Sequence, residues 1–365
     1  MRKNIIILFF LLSATPLCVN AQSPDFSQHY LRGKVIAIEE KSEINLGGNQ
    51  VTNRIISVST SEGTKKVIER SDFEVINQIK VQVGDQVIIL STTQNNQTDY
   101  VITDYNRLPM IGLITAIFLL SVLLLSRWKG LFSMLALILS LIVLIRYIAP
   151  AILHGGNPLL ISLGGACALI LPIFYLGHGW NKKTTLAAVS TFISILLAAL
   201  IAALFVQLTK LAGLGSEDAA FLQLSADQSL NLQGLLLGGI IIGALGVLDD
   251  ITITQTTSIA ELKEVNPTLT RSELFRRGLN LGREHIASLV NTLALAYVGA
   301  SFPLFLLFTI NNNQPWWAIL NSEMMAEEII RSLVGSMALI LAVPITTGLA
   351  SYYIGSPNRH HISKH

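Results

Sequence analysis

Charge is scarce in this chain: aspartate, glutamate, lysine and arginine make up 13% of its 365 residues, while 51% are hydrophobic. Soluble domains carry about 25% charged residues. The deficit excludes an ordinary water-soluble fold and, with a mean hydropathy of +0.57, points to the lipid bilayer. The formal net charge is only +2, and no basic tract interleaved with aromatics occurs, so no nucleic-acid partner is expected. Cysteine is scarcer still. Cys18 falls in an N-terminal targeting segment and Cys167 in a long apolar run, so the mature chain holds one thiol and no internal disulfide. Walker and Rossmann glycine patterns are missing, which excludes a nucleotide site of either kind. The histidines are scattered except in the terminal "HHISKH", which reads as a solvated tail. No cofactor, no resident metal and no enzymatic role is expected, because the pair Asp249-Asp250 offers too few ligands for a divalent ion.

What is present begins with a targeting signal. Arg2 and Lys3 precede an apolar stretch over residues 5–12, and small residues end at Ala21. The stretch is too short to span about 30 Å of hydrocarbon, so residues 1–21 read as a cleaved signal peptide. Residues 22–106 are polar and strand-like: "GKVIAIEE", "RIISVST", "TKKVIER" and "QVIIL" are β-branched runs separated by the turn signals "LGGNQ", "SEGT" and "VGDQ". This predicts a small all-β domain, a barrel or sandwich of five or six strands.

Residues 107–355 form a series of apolar runs, predicting a polytopic α-helical membrane domain of about seven spans at 108–126, 131–149, 158–177, 184–208, 232–252, 286–310 and 328–353. Residues 356–365 are a short tail. Basic residues in the connections orient the spans, since positive loops stay cytoplasmic. One side collects Arg127, Lys129, Lys182, Lys183, Lys263, Arg271, Arg276, Arg277, Arg283, Arg359 and Lys364; the other has Lys210, with Arg146 and Arg331 just inside helix ends. This puts the β domain outside and the C-terminus in the cytoplasm, the orientation the signal peptide also requires. The Trp316-Trp317 pair fits an interfacial anchor. Thr270 with Glu273 forms a capping-box pattern, which fits a short amphipathic helix along the inner leaflet and equally an ordinary positive-inside loop.

The fifth span ends unusually, in "GALGVLDDITITQTTSIAEL". At 1.5 Å per residue Asp249 lies about 26 Å beyond Leu232, near the cytoplasmic edge of the hydrocarbon. A continuing helix aligns Asp250, Thr254, Thr257 and Glu261 on one stripe, and Asp249, Thr252 and Thr256 on the next. Carboxylates facing lipid are costly, so this flank suits a helix lining a wet crevice. An aspartate capping a following helix, or threonines bonding back to their own helix, accounts for the same residues. The sixth span supplies a candidate opposing surface: His285, Ser288 and Thr292 share one face, with Asn291 adjoining. Asn291 is expected to reach the Asp250 carboxylate. Glycines Gly238, Gly239, Gly243 and Gly246 permit close helix packing on the fifth span, and Pro344 is expected to kink the seventh.

Three separated motifs, "GVLDDITITQTTSIAEL", "REHIASLVNTLALAYVGASFPL" and "VGSMALILAVPITTGLA", occur in order. Together they resemble the YibE/F-like family of bacterial polytopic membrane proteins over residues 107–353. The resemblance implies a membrane fold and a plasma-membrane location, and no substrate. From the residues themselves the expectation is a transporter or permease for a cation or small solute, with Asp249 and Asp250 binding a cation or proton. The alternative is a non-transporting scaffold or sensor whose β domain binds an envelope protein. Membrane lipid is an expected partner on either reading, and a homo-oligomer stays open.

Overall fold

The computed structural model describes residues 27–44, 50–69, 79–94, 97–225, 230–310 and 314–355. The signal peptide with Cys18, Asp227 and the "HHISKH" tail lie outside the described residues. The chain divides into two compact units, Met1–Ser121 and Val122–His365.

The first unit holds five strands: β1 (Ser27–Ile44), β2 (Gln50–Thr60), β3 (Gly63–Glu69), β4 (Gln86–Gln94) and β5 (Gln97–Tyr105). They form one antiparallel sheet in the order β3-β2-β1-β4-β5. β1 is long enough to serve two neighbours: Ser27 to Lys34 pair with β4, and Gly33 to Ile44 with β2. Its register shifts between Val35 and Ala37, where a bulge bends the strand and lets the sheet curl. The edge strands β3 and β5 approach each other as a result, giving a half-barrel. Alternation does the rest. Ile56 and Val58 on β2, Val87 and Ile89 on β4, and Val35, Val67 and Ile102 all turn to one buried core. Gly33 is required where β1 crosses this core, because a Cβ there would stand 2.5 Å from Val58 Cγ1. The "VGDQ" turn forms as expected: Gly84 takes φ +104°, and the Asp85 carboxylate accepts the Gln82 N–H at 2.8 Å. The four strand runs expected from sequence are all strands. β5 was not among them.

The remainder is helical. α1 covers Leu108–Val143 and passes through a π-turn (Leu144–Ile148) into α2 (Ala149–Leu153); α3 covers Pro158–Leu171 and ends in a π-turn over Pro172–Leu176. There follow α4 (Lys182–Leu208), α5 (Glu217–Ser225), α6 (Leu232–Val265), α7 (Arg271–Ala300), α8 (Phe302–Ile310), α9 (Trp316–Leu320) and α10 (Glu323–Ile354). Asparagines start three of them. Asn157, Asn181 and Asn231 accept the N–H of Leu160, Thr184 and Gly234 at 3.2, 2.8 and 2.9 Å, satisfying one donor of each first turn.

Among the described residues five stretches are long and apolar enough to cross a membrane: Leu108–Leu153, Pro158–Leu176, Lys182–Leu208, Leu232–Val265 and Glu323–Ile354. The first two expected spans fall within the 46-residue first stretch. Arg127 leaves helical geometry there, at φ 51° and ψ −141°, and Gly130 packs against Val122 and Ser126 beside the break. The expected sixth span, 286–310, is not one helix. α7 ends at Ala300 and α8 resumes at Phe302, where Pro303 has no N–H to carry the ladder across. Pro344, by contrast, lies within a continuous α10.

α4, α6 and α10 pack on one another as the centre of this unit, with α3 against α6 and α7 mainly against α10. The residues that make this possible are small: Ala187, Ala198, Ala202, Ala244, Ala338 and Ala342 are buried at these contacts. Small side chains let helix backbones approach closely, which is how membrane helices gain packing energy. The leucines of α1 point outward, Leu125 being 88% exposed.

The Thr270 capping box is present. Thr270 Oγ1 accepts the Glu273 N–H at 3.3 Å, and Glu273 Oε2 accepts the Thr270 N–H at 2.8 Å. It opens a 30-residue helix rather than a short separate one. Gly278 and Gly282 pack this segment against α6 and α10. The Thr270 backbone and hydroxyl donors hold the Glu273 carboxyl below its ordinary value of 4.5. A depressed carboxyl stabilises the folded state above the unfolded value and loses that contribution as pH falls through the folded one. Amide protection at residues 272–274, the observed exchange rate divided into the intrinsic rate at the same pH, is therefore expected to fall as pH drops below about 4.5, and Thr270→Val to lower it at neutral pH. Equal exchange in both proteins at pH 7 would show that the box contributes nothing.

Candidate functional site

The stretch after Gly243 is a single helix through Val265, so the two stripes predicted from spacing exist as faces of α6. They differ in surroundings. Asp250 and Glu261 are exposed, with Thr254 and Thr257 half-buried between them. One turn before Asp250, a Cβ added at Gly246 would meet nothing within 4 Å, so this face is open along its length. The second stripe is packed. Thr252 and Thr256 are fully buried, and Thr252 Oγ1 lies 2.7 Å from Thr191 Oγ1 of α4. Asp249 sits at the edge between the two. Its Oδ1 is buried with no hydrogen-bond partner among the described residues.

A third polar group on α6 joins the helices. Gln255, fully buried, donates from Nε2 to the Gly278 carbonyl of α7 at 2.7 Å and to Thr347 Oγ1 of α10 at 2.8 Å. Thr347 Oγ1 in turn donates to the Val343 carbonyl at 2.6 Å. The contact needs glycines on α7. A Cβ at Gly278 would stand 2.9 Å from Thr347 Cγ2, and one at Gly282 would overlap Val343 Cγ1. Around this junction Gln255 Oε1, Thr256 Oγ1, Thr346 Oγ1 and Ser351 Oγ are buried without partners among the described residues. Buried oxygens of this kind call for a ligand, an ion or water.

α7 presents its glycine side to this junction, and His285 continues the same side one turn on. Its Nδ1 is buried and unpartnered among the described residues. Asn291 lies nine residues past Gly282, half a turn round the helix, and is exposed; Thr292 is exposed too and bonds back to the Ser288 carbonyl at 3.0 Å. No hydrogen bond joins Asn291 to Asp250 among the described residues. The expected pairing is absent because α7 is turned by its glycine contacts.

Reading the sequence missed His178, which follows α3 and lies within electrostatic reach of Asp250. Burial holds its imidazole below the usual histidine range, with the Asp250 carboxylate opposing and Lys129 adding to the shift. It also missed Gln255, Thr191 and Thr347. Nearby, Lys183 and Glu264 form an exposed ion pair at 3.4 Å. Among the described residues no three His, Cys, Asp or Glu side chains converge on a metal position.

A half-barrel β unit preceding a helical unit with several apolar, span-length helices, its central helix carrying adjacent aspartates, defines a polytopic membrane protein. Residues 114–356, more than half of the chain, match the family described as YibE/F-like protein. The chain belongs to the YibE/F-like family. No curated protein and no solved structure matches it.

Proposed function

We propose that the protein is a transporter of a cation or small solute in the bacterial plasma membrane, proton coupling being one form of it. It has seven spans, the β domain outside and the C-terminus in the cytoplasm. The observation that carries this reading is the state of the two aspartates. Asp250 is open on a face continued by Thr254, Thr257 and Glu261, while the Asp249 carboxylate turns a buried, unpartnered oxygen toward the packed side. α6 runs for 34 residues, about 51 Å, well past about 30 Å of hydrocarbon, so the pair stands at the far boundary of the apolar layer. A carboxylate pair there concentrates cations, and hydroxyl and amide oxygens suit a partly dehydrated alkali ion or a proton carried by water.

The scaffold alternative has its own support, because Gln255 and the Thr191–Thr252 contact join helices as purely structural bonds do. Single cysteines at 250, 254 and 257, in a Cys167→Ala background, separate the two. Transport requires all three to react with membrane-impermeant thiol reagents from the cytoplasmic side, and liposomes holding the purified protein to pass at least one of a panel of protons, alkali cations and small solutes. Unreactive cysteines and tight liposomes would leave the scaffold, with the β domain engaging an envelope partner.

A further inference from the structure

At the other end of α6 the helices surround a cavity of about 430 Å³. Its walls are apolar, with Ile148, Ile152, Leu222, Leu235 and Ile242 among them. Two charged side chains enter it, both from α10: Glu327 and, one turn on, Arg331. Glu327 is only 5% exposed, and one carboxylate oxygen, Oε1, accepts the Gly215 N–H at 2.9 Å. Glu323 holds the same loop, Oε1 accepting the N–H of Ala212 and Leu214 at 2.7 and 3.2 Å. Arg331 pairs through one terminal nitrogen with Glu328 at 3.5 Å. Its Nε is buried with no hydrogen-bond partner among the described residues. Gly239 completes the wall, and a Cβ there would meet nothing within 4 Å.

We propose that this cavity binds one acyl chain of a zwitterionic membrane phospholipid, with the lipid phosphate at Arg331 and its ammonium at Glu327. The size is that of a small-molecule site, for which about 300–1,000 Å³ is usual. Apolar walls reject a polar solute, because its buried groups would go unpaired. The lining of the cavity carries one cation and one anion a turn apart. A fatty carboxylate would answer Arg331 and oppose Glu327, and an alkyl amine the reverse; a head with both charges gives the unbonded Arg331 Nε an acceptor and the Glu327 carboxylate a cation beside its Gly215 bond. The site shares no lining residue with the aspartate pair, which lies about 10 Å beyond Ile242 along the same helix.

The test uses the full chain in phosphatidylglycerol vesicles that contain a small fraction of phosphatidylethanolamine with a diazirine on one acyl chain. After photolysis, labelled peptides are mapped by mass spectrometry. Label is expected on residues 232–242 and 148–152 above the level on the outward leucines of α1. Gly239→Leu, whose Cβ has open space, whose side chain occupies the chamber and which improves helix propensity, lowers that label about tenfold and leaves α1 labelling unchanged. The same diazirine chain on a diacylglycerol, lacking the head, labels the site about tenfold less, and Arg331→Gln brings the phospholipid down to that level. Label spread evenly over the apolar helices, undiminished label in Gly239→Leu, or equal labelling by the two probes would each overturn the proposal. Should Arg331→Gln aggregate, the comparison of the two probes on the unaltered protein decides.

Discussion

Gly282→Val will cost the helical unit about 3 kcal/mol or more. The first added carbon already overlaps Val343 Cγ1, and Gln255 stands 3.3 Å away on the other side. Both neighbours are buried in the interior of helices that are themselves fixed by α4. Neither has room to retreat, so α7 must move off. That movement also breaks the bond from Gln255 to the Gly278 carbonyl, at about 1 kcal/mol. Gly164→Ala is the control, because a Cβ on that part of α3 meets nothing within 4 Å and replaces the weakest helix former but proline with the strongest. Thermal unfolding of the purified variants in detergent checks the pair. A large drop for Gly282→Val beside an unchanged or raised midpoint for Gly164→Ala is expected; equal midpoints would mean that the α7 interface bears no load.

The second large effect is the one the proposed transport requires. Asp250→Asn is expected to abolish ion-dependent flux in liposomes with expression, elution and unfolding unchanged. The structure supplies the reason for separating the two readouts: Asp250 is exposed and makes no hydrogen bond or ion pair among the described residues. Removing its charge strips no packing contact. Asp249→Asn is a different experiment, since its carboxylate oxygen Oδ1 is buried with no hydrogen-bond partner among the described residues. Stability can shift there as well as flux. Undiminished flux through Asp250→Asn would remove that carboxylate from the mechanism.

Much of this site was legible because helical spacing alone places Asp250, Thr254, Thr257 and Glu261 on one face. What spacing cannot supply is which way a neighbouring helix is turned. Glycines on α6 were read as the points of close approach, yet they are used unequally. Gly238 backs onto Ser162 and Gly243 approaches Tyr297, whereas Gly239 and Gly246 face open space. The decisive contacts are at Gly278 and Gly282, in a segment whose arginines and leucines read as a surface helix. With those two glycines inward, Asn291 points away from the aspartates, and Gln255, which had seemed one more polar residue in a hydroxyl run, becomes the centre of a three-helix junction. The half-barrel was clearer, because period-two alternation reports burial directly. β5 escaped because its polar residues outnumber its apolar ones, with Val101 exposed and Ile102 alone turned fully to the core.

Glu323 and Glu327 fasten residues 212–215 to the first turns of α10 through three backbone amides. Such a loop cannot wander by itself: whatever rotation or tilt α10 undergoes, the segment travels along. A spin label on Leu214, which is itself exposed at 44%, would thus act as a pointer attached to that helix, reading its rigid-body displacement from the aqueous side without any probe placed among the buried helices.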